Sequence, residues 1–382
     1  MGDKSSTVGV GVMGAGFMGK AHSNAYKTIP YMFWPRTFNH EMVAVAATSQ
    51  KKAEDAAERY GYAKAYEGFE KLAADPDITV FDNCSPDQMH YLPTISAIMN
   101  GKHVLCEKPL AMDPAQAKEM YETAEKQCVL HMVCHNYRFF PAVRFAFELI
   151  KEGALGDICH FRGSYTQHFG RGANMPLKSG ESEYGGVAHI IGSHVIDMSR
   201  MLVGEVASVS GLSKTYIQQR RSISGETVKS GLEDGITALV EFENGATGVY
   251  EAINTIAGRV NRFEWQVYGT KGSMEWNLET PDFLKVYTDD IIDKRVAGFA
   301  EVLVNNGSAG HPYTEVWWPN GHNLGWEHGH INAIHHFLDC VANGKPVAPY
   351  GATFYDGYRI EMIIEAMRRS SKEGKRISVG CE

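Results

Sequence analysis

The chain has 382 residues, 44% of them hydrophobic and 21% charged, which is enough for two domains with sizeable cores. Its formal net charge of −8 argues against a nucleic-acid partner, which wants a basic face, and no apolar run approaches membrane-spanning length, so neither partner is expected. Seven scattered cysteines without a CxxC pair fit reduced thiols in a cytoplasmic protein rather than a disulfide framework.

The N-terminus lacks the charged-then-apolar layout of a secretory signal and enters a β-branched run at 8–13. Gly14-Ala15-Gly16-Phe17-Met18-Gly19 follows, and 17–28 has helical composition. Strand, GxGxxG and helix in immediate succession form the dinucleotide-binding fingerprint. The first glycine permits the tight turn, the second lets a pyrophosphate approach the backbone, and the third allows close helix–strand packing. The helix N-terminus supplies the N–H groups for the anion. Gly14, Gly16, Phe17, Met18 and Gly19 are therefore candidate cofactor-binding residues. His22, one turn further, faces either the cofactor or solvent.

Residues 30–41 make a long connection, and Tyr31, Phe33, Trp34 and Phe38 are too many aromatics for a solvated loop. They are expected to fold onto the body near the active-site edge or at a subunit contact. A second strand at 42–47 ends in Ala47-Thr48-Ser49-Gln50-Lys51-Lys52, without the carboxylate that grips the adenosine ribose in NAD-selective sites. Small hydroxyls followed by lysines can accept a 2′-phosphate. Ser49 thus joins the cofactor candidates, and the choice between NAD and NADP stays open.

A strand at 78–82 leads into Asn83-Cys84-Ser85-Pro86-Asp87 and a helix containing His90. The apolar run 103–106 then stops abruptly at Glu107-Lys108-Pro109. Proline cannot donate to a sheet ladder and restricts the residue before it, so Lys108 is presented from a stiff strand end. That end belongs to the carboxyl edge, where open α/β sheets bind ligands. In isolation such a lysine would pair with Glu107. A helix at 114–126 and a strand at 129–133 complete a strand–helix alternation that predicts a doubly wound parallel (Rossmann) sheet in a dinucleotide-binding domain over 1–137.

Beyond it the pattern changes. After Asn136-Tyr137-Arg138 and a helix at 141–152, strands are predicted at 157–167, 205–216, 235–243, 246–255, 262–269 and 272–276. Hairpin signals such as Glu243-Asn244-Gly245 separate them. Residues 138–382 are thus expected to form an α+β domain with a large, mainly antiparallel sheet. Its internal helix runs from near His189 through His194 and Asp197 to Leu202. Residues 170–186 read as a mobile loop or lid, and 217–230 as an exposed excursion. Helices at 326–343 and 353–373 close the chain.

Taken in order, GxGxxG with His22, Ser85-Pro86 with His90, Glu107-Lys108-Pro109, Asn136-Tyr137-Arg138 with Pro141, and Gly185-Gly186 with Ile191-Gly192-Ser193-His194-Val195-Ile196-Asp197 carry a family likeness. The chain resembles the Gfo/Idh/MocA oxidoreductases along nearly its whole length. Phe33-Trp34-Pro35 and the stretch from His311 to Glu327 look most like levoglucosan dehydrogenase and the glycoside 3-dehydrogenases. The resemblance implies hydride transfer between NAD or NADP and a ring hydroxyl of a sugar, anhydrosugar or glycoside, with C3 as a candidate position. It also implies that residues 138–382 bind the substrate and join subunits into a homodimer or homotetramer. Lys108 becomes the lysine beside the reacting hydroxyl and His194 the proton-transferring base, while Ser85, Pro86, His90, Glu107 and Lys108 line the cofactor. An imidazole with pKa ~6.5 suits the carbinol proton near neutrality, whereas a free lysine at ~10.4 is better cast as donor to the developing alkoxide.

One position departs from the family pattern. Relatives place Asp four residues before the histidine, and here that residue is Ile190. His189 would not substitute, because neighbouring helical residues point about 100° apart. Tyr137, Tyr165, Gln167 and His168 are the candidate substrate contacts. The alternative reading is a catalytically impaired member that senses cofactor and metabolite as a regulator. His322, His328, His330, His335 and His336 lack a cysteine or carboxylate set at ligand spacing, so no metal is expected.

Overall fold

Apolar strands alternating with amphipathic helices build the first of two units in the computed structural model, which describes residues 7–172, 186–221, 225–290 and 294–380. This unit comprises residues 7–139 and Gly325–Arg359. Its elements are β1 (Thr7–Met13), α1 (Phe17–Met32), β2 (Asn39–Ala47), α2 (Gln50–Tyr60), β3 (Lys64–Glu67), α3 (Glu70–Ala74), β4 (Val80–Asn83), α4 (Tyr91–Met99), β5 (His103–Cys106), α5 (Pro114–Lys126) and β6 (His131–Val133). The six strands are all parallel in the order β3-β2-β1-β4-β5-β6. The inner strands β1, β4 and β5 are nearly continuous buried runs, as expected of a sheet covered on both faces.

Local chemistry sets the helix starts. Ser49 accepts the Lys52 N–H at the head of α2, and Asp113 accepts the Gln116 N–H at the head of α5, where Pro114 takes the first position. Strand order reverses between β1 and β4. That is the switch point beside which such sheets hold ligands.

The second unit comprises Phe140–Leu324 and residues 360–380. It contains α6 (Pro141–Lys151), β7 (Ile158–Gln167), α7 (Ser193–Leu202), β8 (Val206–Lys214), β9 (Gln219–Arg221), β10 (Thr227–Lys229), β11 (Gly235–Phe242), β12 (Thr247–Ile253), β13 (Asn261–Gly269), β14 (Gly272–Asn277), β15 (Phe283–Thr288) and β16 (Ala300–Leu303). The chain re-enters the first unit as α8 (Trp326–Asn343), and α9 (Phe354–Glu373) carries it back to β17 (Ile377–Ser378).

Nine strands form one sheet in the order β16-β15-β14-β13-β7-β12-β11-β8-β17. Every neighbouring pair is antiparallel except β7 with β12. Strands β12 and β14 alternate between buried and more exposed residues, because this sheet packs one face on a core. Phe140, Phe161, Phe263, Trp265 and Trp276 form part of that core.

One sequence expectation needs correction. The excursion at 217–230 is not simply exposed: β9 and β10 pair as a small ribbon, and the Arg220 guanidinium is buried against Asp234 and the carbonyls of Gly170 and Gly172, both at 3.1 Å. A buried guanidinium needs such partners, so it anchors the ribbon. The edge strands β15 and β16 had no expectation at all. Of the proposed lid, residues 173–185 lie outside the described residues, as does Gly185 of the family motif. Among the described residues, no helix is long and apolar enough to cross a membrane.

Candidate active site

The GxGxxG turn leaves β1 through Gly14, whose φ of +105° favours glycine and whose Cβ would lie 2.6 Å from the Cys84 carbonyl oxygen. A Cβ on Gly19 would fall 1.9 Å from the Gly14 carbonyl oxygen, so the third glycine is what lets α1 sit against the turn. Gly16 caps α1 with nothing near its open side. No side chain caps this helix, and its first turn holds no acidic residue. The first-turn N–H groups therefore form an anion site with space before it and no competing negative charge, which fits the pyrophosphate of a dinucleotide. Phe17, exposed on that turn, stacks on Trp326 of α8 with ring centroids 5.3 Å apart, and Met18 is half-buried.

At the end of β2 the two lysines have local partners. Lys51 pairs with Asp55 at 2.7 Å, and the Lys52 ammonium donates to the Thr48 hydroxyl at 3.3 Å. Ser49 is engaged as the cap of α2.

The next two strand ends are tied together. The Ser85 hydroxyl lies 2.5 Å from Asn83 Oδ1, and Pro86 leads into a short 3-10 turn, Asp87–Met89. His90 is fully buried, with Nδ1 at 2.5 Å from the Pro109 carbonyl and Nε2 at 3.0 Å from that of Ser85. It thus joins the Ser85 turn to the Lys108–Pro109 corner. Glu107 does not face the Lys108 ammonium as its main partner. Its Oε1 meets His22 Nε2 at 3.1 Å and its Oε2 accepts the Lys108 main-chain N–H at 3.2 Å. Lys108 is half-buried at the corner so formed.

His22 faces neither solvent nor the outer crevice. It is fully buried, with Nδ1 2.8 Å from Asp82 Oδ2, an oxygen that also accepts the Tyr26 hydroxyl at 2.7 Å. Burial alone would discharge the imidazole, but Asp82, supported by Cys84 and Cys134, outweighs it and raises the His22 pKa well above its ordinary value. Burial likewise opposes ionisation of Glu107, yet the hydrogen bond and charge of His22 pull that carboxyl down to about 2. Tyr137 is buried on the turn Asn136–Phe139, which is pinned by the Asn332 amide donating to the Phe139 carbonyl at 3.0 Å.

In the second unit, His194 occupies the first turn of α7 and is buried beside Tyr165 and Phe263, with ring centroids at 5.8 and 6.3 Å. Tyr165 stacks on Phe263, and its hydroxyl donates to Asn261 Oδ1 at 2.7 Å. Gln167 donates to the same oxygen at 2.5 Å. His168, one residue on, is exposed, its Nδ1 3.3 Å from the Arg259 carbonyl. Four of the predicted positions thus gather at one strand end, and Asn261 and Phe263 were missed. Their signal was the pairing of β13 with β7, which sets Asn261 opposite Gln167 and Phe263 opposite Tyr165.

The helix bearing His194 also differs from expectation. Ala188–Gly192 form a π turn before α7 begins. The four-residue spacing between Ile190 and His194 presumes a regular α-helix, and the widened turn changes its phase. His189 is committed elsewhere in the unit, with Nε2 2.7 Å from Glu361 and Nδ1 3.3 Å from Arg368. The five late histidines do not converge on one another. His328 Nδ1 accepts the Gly325 N–H at 2.9 Å, and His336 meets the Val347 carbonyl at 2.9 Å. His322 meets the Pro319 carbonyl at 2.8 Å, while His335 stacks on Phe33. His330 alone turns toward His22.

Residues 8–135 match the family described as "Oxidoreductase family, NAD-binding Rossmann fold", and residues 143–275 match the GFO/IDH/MocA C-terminal domain. The chain is 36% identical to levoglucosan dehydrogenase of Pseudarthrobacter phenanthrenivorans, with 97% of each protein covered. It is 27% identical to D-glucoside 3-dehydrogenase of Escherichia coli strain K12, with 98% of each covered. A solved structure of levoglucosan dehydrogenase in complex with NADH and L-sorbose superposes with a TM-score of 0.93 at 35% identity, covering 99% of this chain and all of that one.

Proposed function

This chain belongs to the Gfo/Idh/MocA oxidoreductase family, and from that premise we propose that it oxidises a ring secondary hydroxyl of an anhydrosugar or glycoside, at C3. The observation that carries this reading is its likeness, along the full length of both proteins, to a dehydrogenase of the anhydrosugar levoglucosan. The position C3 rests on the D-glucoside 3-dehydrogenase relative.

The bound nicotinamide supplies the hydride acceptor. The protein's task is to take the hydroxyl proton as the C–H bond breaks and to stabilise the charge that develops on oxygen. His194 takes the proton, and Lys108 donates a hydrogen bond to the developing alkoxide. The Glu107 carboxylate grips the main chain at Lys108, and His90 grips the carbonyl of Pro109, so the lysine corner is fixed on both sides. Such preorganisation means that little rearrangement accompanies the reaction. Tyr165 and Gln167, joined through Asn261, orient the sugar beside His194. NAD is the expected cofactor, because residues 8–135 match an NAD-binding Rossmann family and the similar levoglucosan dehydrogenase is solved with NADH.

The test is cofactor reduction over a panel of levoglucosan, D-glucosides and free sugars. Turnover with NAD on an anhydrosugar or glycoside, and an oxo group at C3 of the isolated product, is the expected result. An oxo group at another carbon would overturn the assigned position. No turnover on any sugar would overturn the enzyme reading in favour of a metabolite-sensing role.

A further inference from the structure

Four ligand-bearing side chains converge inside the first unit from four separate elements: His22 on α1, Glu107 after β5, Cys134 after β6 and His330 on α8. Each offers one donor atom, and these atoms all lie within 4.8 Å of one another. All four residues are essentially sealed, at 0%, 4%, 1% and 2% exposure respectively. The proposed reaction uses Glu107 only through the main chain at Lys108, and it uses neither histidine nor the thiol.

From this arrangement we infer a closed zinc site, with His22 Nε2, Glu107 Oε1, Cys134 Sγ and His330 Nε2 as its four ligands. Zn–N and Zn–O bonds near 2.0–2.1 Å and a Zn–S bond near 2.3 Å give tetrahedral edges of about 3.3–3.7 Å. His22 Nε2 already stands 3.1 Å from Glu107 Oε1 and 3.7 Å from Cys134 Sγ. The outer shell is also in place. Asp82 holds His22 Nδ1 at 2.8 Å, which is the carboxylate–histidine–metal arrangement that orients a zinc ligand and raises its basicity. The Asn136 amide nitrogen lies 3.3 Å from His330 Nδ1, and zinc on Nε2 requires that amide to turn so that its Oδ1 accepts the Nδ1 proton. Cys84 Sγ stands 3.2 Å from His22 Nδ1, on the Asp82 side.

His22 lies between two carboxylates, Asp82 at Nδ1 and Glu107 at Nε2, so both ring nitrogens donate in the metal-free cluster. Binding of Zn2+ displaces one proton from His22 Nε2 and one from the Cys134 thiol, leaving a neutral imidazole, a thiolate and the Glu107 carboxylate on the ion. Two imidazoles, a thiolate and a carboxylate select zinc over calcium or magnesium, which prefer all-oxygen shells. Four protein ligands leave no open position for substrate, so the ion is structural. It staples the late helix α8 to the strand ends and fixes Glu107, the residue before Lys108. This departs from the sequence expectation of no metal, which weighed only the late histidines.

The test uses the full chain, with metal content and spectroscopy as readouts independent of turnover. Protein stripped with chelator and given Zn2+ should retain about one ion per chain after dialysis and unfold at a higher temperature. Given Co2+ instead, it should show a thiolate-to-cobalt charge-transfer band with the intense visible bands of a tetrahedral site. Cys134→Ser should abolish the charge-transfer band, and His330→Ala should lower retained zinc at least tenfold, while Cys340→Ser changes neither. Wild-type protein that retains neither ion would overturn the site even if sugar turnover is normal. A sulfur band that survives in Cys134→Ser would overturn the ligand assignment, and circular dichroism of each variant separates lost binding from lost folding.

Discussion

Lys108, half-buried at its corner, and His194, buried beside Tyr165 and Phe263, make the sharpest predictions at the scale of single residues. Lys108→Ala and His194→Ala should each lower kcat by roughly 10²–10⁴. NADH binding, followed by fluorescence titration, should stay near that of the wild type. A variant retaining most of the wild-type rate would remove that residue from the reacting centre. The sequence made Lys108 legible because proline after a strand end is a local stereochemical signal. His22 was not legible in that way. Its partners Asp82 and Glu107 lie on two other strand ends, and only the parallel pairing of β4 with β5, with Asp82 opposite Leu105 two residues before Glu107, lets one imidazole reach both.

At the scale of elements, the turn from β1 to α1 carries a prediction about backbone geometry. Gly14→Ala places a methyl group at positive φ and against the Cys84 carbonyl. It should cost more than ~1 kcal/mol of stability and weaken dinucleotide binding, as read from denaturant midpoints and NADH titration. Helix α8 carries a second, through His335. That ring stacks on Phe33 at 3.6 Å between centroids, and burial pushes its pKa down to about 4. The folded imidazole therefore stays neutral while the unfolded chain takes up a proton below about pH 6.5. Stability should fall as pH drops from 6.5 toward 4, and this histidine's share at pH 5 is ~2 kcal/mol. His335→Phe should flatten that part of the profile in thermal melts, whereas an unchanged slope would assign it to other groups. The connection at 30–41 divides accordingly: Phe33 and Phe38 are buried, while Tyr31 and Trp34 stay exposed. Aromatic composition marked the segment as unusual but could not say which rings had a partner.

At the scale of the whole molecule, the nine-stranded sheet leaves Leu212 on β8 and Leu239 on β11 more than half exposed. Neighbouring apolar residues on a sheet face favour burial against a second copy. Light scattering coupled to size-exclusion chromatography should therefore give a multiple of the chain mass, and Leu212→Glu with Leu239→Glu should shift it toward the monomer. A monomeric wild type would leave that face without this role. The sequence by itself determined the dinucleotide fold, the mainly antiparallel second sheet, and the placing of Lys108 at a strand end and His194 on a helix. These follow from periodicity, from glycine and proline stereochemistry, and from motif order, all of which are local along the chain. Only the tertiary structure decided what surrounds them. It returned α8 to the first unit, placed His330 beside His22 and Cys134, set Asn261 against Tyr165, and widened the turn before His194. Burial and hydrogen bonding between distant segments depend on packing, and packing leaves no period in the sequence. The corner at Glu107-Lys108-Pro109 is legible as a strand end, but the His22 partner that anchors it exists only in the folded chain.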